Sequence, residues 1–421
     1  MRKPTVPLMM ATSLLLGLSA CQPEPAEPEI ADSNQPAVAP TPTQPTEQEA
    51  VPELQEPTLP DAEPNVDNDG DTDVDVDVNN DTDTNANKDS TPQVTAPPAP
   101  SSVAAAAKNQ QLCTSVRKTI AAVNSKSKMA EITAVQELLR DCLPAADNAS
   151  VLQWLAAYQA MYERFLALPN TDTSNQENFY TVMDKAASGK IVPEALLKTM
   201  SPRAQYLIGL VEQGADVSVQ YLGEGDFHFH HDLTAMAKLF TPYLRKDQAA
   251  FIQRMARDNQ GIFWNDAAIA VPFNELINRA LFWESYSQRY PDGYATRDAK
   301  RLFNIYRYVL FFGSENTQWT DDAIREFDNL AQAQAMQQLA KRSNSVLAKD
   351  AQKFLEFMTL ADSERELKYP HSSSDIADNM QREGQLAKQQ LRDALQILSP
   401  WTVEDNRNCL EGVVCTTYKL E

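Results

Sequence analysis

The segment SVLQWLAAYQAMYERFL, residues 150–166, decides the fold class of this chain. Apolar side chains recur in it at spacings of three and four, the period of an α-helix that buries one face. The residues on that face are Val151, Trp154, Leu155, Tyr158, Met161, Tyr162 and Phe165. Ser150 is a favourable N-cap, and Pro169 cannot continue a helix. We therefore predict one amphipathic helix over this segment.

Similar amphipathic patterns occur along the chain both before and after this segment. Amphipathic runs lie near residues 105–124, 128–142, 175–187, 193–213, 232–244, 246–258, 266–290, 294–312, 320–341, 344–361 and 376–398. The chain has only 12 glycines, a number more typical of helical proteins than of β-sandwiches or barrels. Patterns typical of β-strands occur only at residues 217–222, 226–230 and 413–420. Residues 104–421 are therefore expected to form a mainly α globular region of one large or two closely packed domains. We expect an antiparallel helical bundle or an irregular α-solenoid, with at most a small β-hairpin element.

The five cysteines predict two disulfides. Cys113 and Cys142 fall on successive predicted helices, and Cys409 and Cys415 flank a short turn. We predict the pairs Cys113–Cys142 and Cys409–Cys415, which are the outcome expected of an exported protein in an oxidising compartment. The sequence contains no C-x-x-C pair, so it gives little support to a cysteine metal site.

A histidine cluster lies in the segment GEGDFHFHHD, residues 223–232, which holds three of the four histidines. In an extended strand, Asp226, His228 and His230 share one face; in a helix, His228, His231 and Asp232 share a face instead. Either arrangement offers imidazole and carboxylate ligands to Zn²⁺ or another transition metal. The candidate metal ligands are Asp226, His228, His230 and His231.

A structural interpretation of the same segment needs no metal. Phe227 and Phe229 would anchor a loop, the histidines would face water, and Asp232 would cap the next helix. The sequence leaves both interpretations open.

Aromatic residues are concentrated between Phe263 and Trp319, where 14 of the 33 aromatic side chains lie among interleaved arginines. One interpretation is a ligand groove in which rings stack on sugar or peptide and arginines meet carboxylates. The candidate groove residues are Trp264, Trp283, Tyr286, Tyr290 and Arg279. The other interpretation is the central packing layer of a helical domain, which the helical spacing of Phe282, Tyr286 and Tyr290 favours.

Residues 22–100 have a different composition from the rest. They hold 19 acidic residues, one lysine and 15 of the 26 prolines, with no aromatic residue. Such a segment cannot bury enough apolar surface to offset the entropy of ordering, so we predict a long disordered linker. It carries most of the net charge of −21 and leaves the helical region nearly neutral. Without a basic patch, no nucleic-acid partner is expected.

The N-terminus, MRKPTVPLMMATSLLLGLSAC, combines Arg2 and Lys3 with an apolar stretch too short to span a bilayer. Its end, Leu18-Ser19-Ala20-Cys21, resembles the lipobox of bacterial lipoproteins. The resemblance implies a signal peptide over residues 1–20, cleavage before Cys21, and acylation of Cys21 by a lipid such as palmitate. Residues 21–103 would then be the lipidated N-terminus and acidic tether. Because Gln22 rather than Asp follows the cysteine, the resemblance favours an outer-membrane location in the cell envelope over the inner membrane.

Two functional hypotheses follow. The first is a membrane-anchored envelope lipoprotein, not an enzyme, whose helical module binds a protein, cell-wall or host ligand. The alternative is a metal-dependent hydrolase or metal-binding protein that uses His228, His230 and His231, with zinc as its cofactor. The chain contains no nucleophile elbow, P-loop or dinucleotide fingerprint, so no other enzyme class is indicated.

Overall fold

The computed structural model of the protein describes residues 112–168, 176–371, 382–401 and 407–417. The signal-peptide segment, Cys21 and the tether over residues 21–103 lie outside them, so those expectations stay predictions. All described residues belong to one compact unit of the chain. Within them, no helix has both the length and the apolarity needed to cross a membrane.

Fourteen α-helices account for most of the described residues. They are α1 Val116–Ala122, α2 Met129–Cys142, α3 Asn148–Leu166, α4 Gln176–Ala187, α5 Glu194–Leu197, α6 Pro202–Glu212, α7 Leu233–Phe240, α8 Lys246–Asp258, α9 Phe273–Arg289, α10 Thr296–Phe312, α11 Leu330–Ala340, α12 Val346–Thr359, α13 Asp362–Lys368 and α14 Arg382–Leu395. Helices α9 and α10 pack together as a pair, as do α11 and α12. The prediction of a mainly α region is confirmed.

Three small antiparallel strand pairs interrupt the helices of the described chain. They are β1 Val217–Gly223 with β2 Asp226–His231, β3 Trp264–Asn265 with β4 Ala268–Ile269, and β5 Arg407–Asn408 with β6 Thr416–Thr417. The predicted strands over 217–222 and 226–230 are confirmed as β1 and β2. Of the strand predicted over 413–420, the structure shows only β6, and residues 418–421 lie outside the described chain.

Helix α3 is the segment from which the fold was predicted, and its whole apolar stripe is buried. Its N-cap differs from the prediction. Asp147, not Ser150, occupies that position, and its carboxylate accepts a hydrogen bond from the Ser150 amide at 2.7 Å. A carboxylate placed there also meets the positive end of the helix dipole favourably.

The predicted run over 193–213 forms two helices instead of one, α5 and α6. Pro202 stands at the first position of α6, where its missing amide proton costs nothing, and Ser201 accepts a hydrogen bond from the Ala204 amide at 3.1 Å. The proline therefore starts a new helix and prevents the earlier one from continuing.

Two other predicted helices begin later than expected. The run over 266–290 starts with the hairpin β3–β4, and α9 begins only after Pro272. In the run over 320–341, Asp321 accepts hydrogen bonds from the Arg325 and Glu326 amides at 2.6 and 2.8 Å, which closes a loop rather than a helical turn. Helix α11 then begins at Leu330 with Asn329 as its cap.

The buried apolar residues form two clusters. The larger one runs through α1 to α3, α6 to α12 and α14, and reaches the C-terminal loop at Val413. The smaller one joins α4 and α6 through residues such as Phe179, Met183 and Ile208. Phe229 of β2 packs against both clusters, so the β1–β2 hairpin lies between them.

Both predicted disulfides are present. Cys113, just before α1, pairs with Cys142 at the end of α2, with their Cα atoms 5.5 Å apart. Cys409 and Cys415 close the C-terminal loop, with a Cα separation of 4.4 Å. The first disulfide fixes α1 to α2, and the second makes residues 409–415 a compact loop.

Candidate functional site

The main candidate site is a cavity of about 660 Å³ between the β1–β2 hairpin and the disulfide loop over residues 409–415. Helix α3 forms another wall, and residues 259–267, which include β3 and its turn, complete it. We call it the hairpin–loop cavity. The lining residues used below are Gln159, Glu163, His228, His230, Trp264 and Glu411.

Gln159 of α3 holds the disulfide loop in place as a cavity wall. Its side chain is 5% exposed. Its Oε1 accepts hydrogen bonds from the amides of Val413 and Val414 at 2.8 and 3.0 Å, and its Nε2 donates to the Val414 carbonyl at 3.1 Å. The amide group of one side chain thus satisfies three backbone groups of a distant segment, of which the Val413 amide is buried.

Gly412 lies directly against this clamp. It adopts a φ of +78°, and a Cβ at this position would approach the Gln159 amide to 2.7 Å. Asn259 adds a hydrogen bond from its Nδ2 to the Gly412 carbonyl at 3.1 Å. Glycine is therefore required here both by backbone conformation and by space.

Strand β2 carries the predicted histidine cluster. The extended arrangement is the one found, and the helical arrangement of His228, His231 and Asp232 is wrong because β2 pairs with β1 from Val217 to Gly223. Asp226 and His228 are both exposed, with His228 Nε2 3.0 Å from Asp226 Oδ1. Asp232 instead caps α7, as the structural interpretation predicted, by accepting from the amides of Thr234 and Ala235.

His231 does not face water, in contrast to the structural interpretation of the cluster. It is 7% exposed, and its ring stacks on Tyr162 with centroids 4.1 Å apart. Burial lowers the pKa of His231 to about 3, and the neighbouring His230 contributes to the shift. The imidazole is therefore neutral at physiological pH. Its Nε2 is buried and has no hydrogen-bond partner among the described residues.

His230 also has a lowered pKa, because of burial, although the Asp232 carboxylate opposes the shift. As neutral imidazoles, the half-buried His230 and the buried His231 each offer one donor nitrogen and one acceptor nitrogen. Of the three histidines in this segment, only His228 is exposed, as the structural interpretation expected.

The four candidate metal ligands do not converge. In the part of the chain that the structure describes, three potential ligand atoms come within 4.8 Å of one another only at Asp298, Cys409 and Cys415. The two sulfurs there are joined in a disulfide, and Arg407 holds both oxygens of Asp298 at 2.7 and 2.6 Å. Zinc binding at Asp226, His228, His230 and His231 therefore remains a prediction without a preformed centre.

The five candidate groove residues do not form one groove. Trp283 and Tyr286 are fully buried, and Arg279 is 6% exposed and lies 3.2 Å from Glu275. The periodicity of α9 turns these side chains into the core, so the packing-layer interpretation holds for them. Tyr290 borders a separate, open cavity of about 510 Å³ beside Asp247. Of the five candidate groove residues, only Trp264 lines the hairpin–loop cavity.

Four polar residues of this cavity were not predicted from the sequence. Glu163, Asp266 and Glu411 lie exposed around it, and Gln159 is buried in its wall. Partial burial of the Glu163 carboxylate away from water raises its pKa, and the negative charge of Glu411 raises it further. The positive charge of Arg164 opposes this increase in the pKa. Asp266 and Ala267 have φ values of +49° and +55°, which is uncommon for residues other than glycine. A single glycine between two cysteines was the one sequence signal for the loop.

The arrangement suits binding. Phe229, Phe263 and Trp264 supply apolar surface, and Gln220, His230 and Asn408 supply convergent polar groups.

Comparison with protein-family models, with curated proteins and with solved structures finds no match for this chain.

Proposed function

We propose that this protein is a lipid-anchored envelope protein, not an enzyme, whose helical domain binds a ligand in the hairpin–loop cavity. The observation that carries the proposal is the cavity itself, at about 660 Å³. Sites for small molecules, or for one short part of a larger ligand, measure roughly 300–1,000 Å³ and combine aromatic walls with a few polar groups. The cell wall, an envelope protein or a host molecule would supply that ligand.

The N-terminal sequence supports the anchor part of the proposal. Acylation at Cys21 would fix one end of the acidic tether to the outer membrane. A flexible coil of about 80 residues spans roughly 50 Å, and charge repulsion extends it further. The helical domain would then reach ligands well away from the membrane surface.

The metal-hydrolase hypothesis has weaker support. The candidate histidines do not converge on one point in the described chain, and a hydrolytic zinc site needs about three protein ligands plus an open position. Stoichiometric zinc in purified protein, lost in His228→Ala and His230→Ala, would favour the hydrolase over the binding protein.

The test of the cavity uses Gly261, which lines it. A Cβ built at Gly261 meets no other atom within 4 Å, so a bulky side chain can narrow the cavity without displacing the backbone. We expect wild-type protein, isolated from cell envelopes in mild detergent, to carry a small-molecule adduct in native mass spectrometry. Gly261→Ala should keep the adduct, and Gly261→Trp should lose most of it.

The control is the unfolding midpoint, which should be the same in both variants. Wild-type protein without any adduct, or an adduct equally abundant in Gly261→Trp, would contradict the proposed binding site.

A further inference from the structure

The rim of the hairpin–loop cavity is acidic. Glu163 comes from α3, Asp266 from the β3–β4 turn and Glu411 from the disulfide loop, and all three are exposed. Lysine and arginine are absent from the described residues that line the cavity. The remaining titratable groups of the lining are His228, which is paired with Asp226, and the neutral His230 and His231. The cavity therefore presents negative charge to any ligand.

In the part of the chain that the structure describes, none of the three rim carboxylates forms an ion pair with a lysine or arginine. Arg164 is the neighbouring cation of Glu163, but its guanidinium donates to the carbonyls of Ile120, Val123 and Ala160 at 3.1, 3.2 and 2.9 Å. Glu411 accepts only a neutral hydrogen bond, from Asn408 Nδ2 at 3.2 Å. Three chain segments that are distant in sequence thus bring negative charges to one opening. A bound cation would offset the repulsion between these carboxylates.

The interior of the cavity is apolar and aromatic. Phe263 and Trp264 meet edge to face with centroids 4.8 Å apart, and Phe229 lies on the hairpin side. Aromatic faces attract cations as well as apolar stems. His231 supplies a separate indication of a polar ligand atom, because it lines the cavity and its buried Nε2 lacks a hydrogen-bond partner.

We propose that the hairpin–loop cavity binds an organic cation, an amine carried on an apolar stem, with the stem against Trp264 and Phe263 and the charge at Glu163 and Glu411. The inference rests on the proposed binding function of the cavity and names the chemistry of its ligand. A bare metal ion fits less well, since these carboxylates are not among the described groups whose ligand atoms converge within 4.8 Å. An amine on a stem can satisfy groups that lie further apart.

Calorimetric titration of the detergent-solubilised full chain can test this with three probes that share one apolar body. They are 4-phenylbutylamine, the neutral 4-phenylbutanol and the anionic 5-phenylvalerate. We expect the amine to bind about tenfold more tightly than the alcohol, and the carboxylate to bind most weakly. Added salt should weaken the binding of the amine and leave the binding of the alcohol unchanged, because the rim charges are exposed to solvent.

Variants of the rim residues test whether the preference for the amine comes from the rim carboxylates. Glu163→Gln and Glu411→Gln should each weaken amine binding about three- to tenfold and leave alcohol binding unchanged. Glu137→Gln, an exposed carboxylate on α2 away from the cavity, is the matched control and should change neither.

Equal affinity for amine and alcohol, or tighter binding of the carboxylate, would overturn the cation assignment and leave the binding cavity intact. The cation assignment also fails if none of the probes binds. The comparison of Gly261→Ala with Gly261→Trp decides separately whether the cavity holds a ligand at all.

Discussion

Gln159 connects the middle of α3 to the disulfide loop through three hydrogen bonds. Replacing it with leucine keeps the side-chain volume but leaves the buried amide of Val413 without an acceptor. We expect Gln159→Leu to lower the free energy of unfolding by about 2–3 kcal/mol in urea titration. Gln153→Leu, an exposed change on the same helix, is the control and should stay within about 0.5 kcal/mol. Equal effects of the two changes would show that the clamp contributes nothing.

We expect His231 to make the stability of the fold sensitive to acid. Its pKa lies at about 3 in the folded protein, below the ordinary value of 6.5, so between these two pH values the unfolded chain binds more protons. The stability from keeping this ring neutral is therefore complete above pH 6.5 and is lost as the pH falls toward 3.

We expect His231→Phe, which keeps the stack on Tyr162, to reduce the loss of stability in acid by up to about 1.4 kcal/mol per pH unit. Urea unfolding at several pH values measures this slope. An unchanged slope in the variant would mean that His231 is not held neutral by the fold.

Single residues differ in how far the sequence could predict them. The partners of Cys113 and Cys142 followed from their place on successive helices. The role of Gln159 did not, because a polar residue on a buried stripe gives no indication of a partner 255 residues further along the chain. Arg279 and Trp283 were possible groove residues from their chemistry, and only packing could decide that they belong to the core.

At the scale of elements, the two disulfides should contribute unequally to stability. The cysteines of one pair are 29 residues apart and those of the other are six. A longer loop loses more conformational freedom when it is closed in the unfolded chain.

We expect the double change Cys113→Ala with Cys142→Ala to cost about 3–4 kcal/mol, and Cys409→Ala with Cys415→Ala to cost about 2 kcal/mol. Urea unfolding of both double variants in the same buffer measures the difference. A larger cost for the shorter loop would show that the disulfide loop contributes to the fold mainly through its contacts with α3.

Helices were predictable wherever the apolar period was long, as in α3, α8 and α10. The β3–β4 hairpin was missed for a physical reason. Each strand has only two residues, and Asp266 and Ala267 form its turn with positive φ angles where a glycine or asparagine would ordinarily signal one. Neighbouring contacts impose this turn, including the Asp266 amide donating to the Leu222 carbonyl at 2.9 Å.

At the scale of the whole molecule, the fold class follows from local periodicity, whereas the cavity does not. Its walls come from α3, the β1–β2 hairpin, residues 259–267 and the C-terminal loop, and no local pattern relates these segments to one another. The histidine cluster was found because its residues are adjacent in sequence. The acidic rim was not, because its members meet only after folding.

We propose that the helical domain binds its ligand at the end of a lipid-anchored tether, and the mass of the N-terminal peptide tests the anchor most directly. Protein extracted from membranes and digested should yield a first peptide that begins at Cys21 and carries the added mass of acyl chains. Cys21→Ala should leave the membrane fraction and lose that mass. An unmodified peptide beginning before or after Cys21, in protein that still fractionates with membranes, would contradict the account.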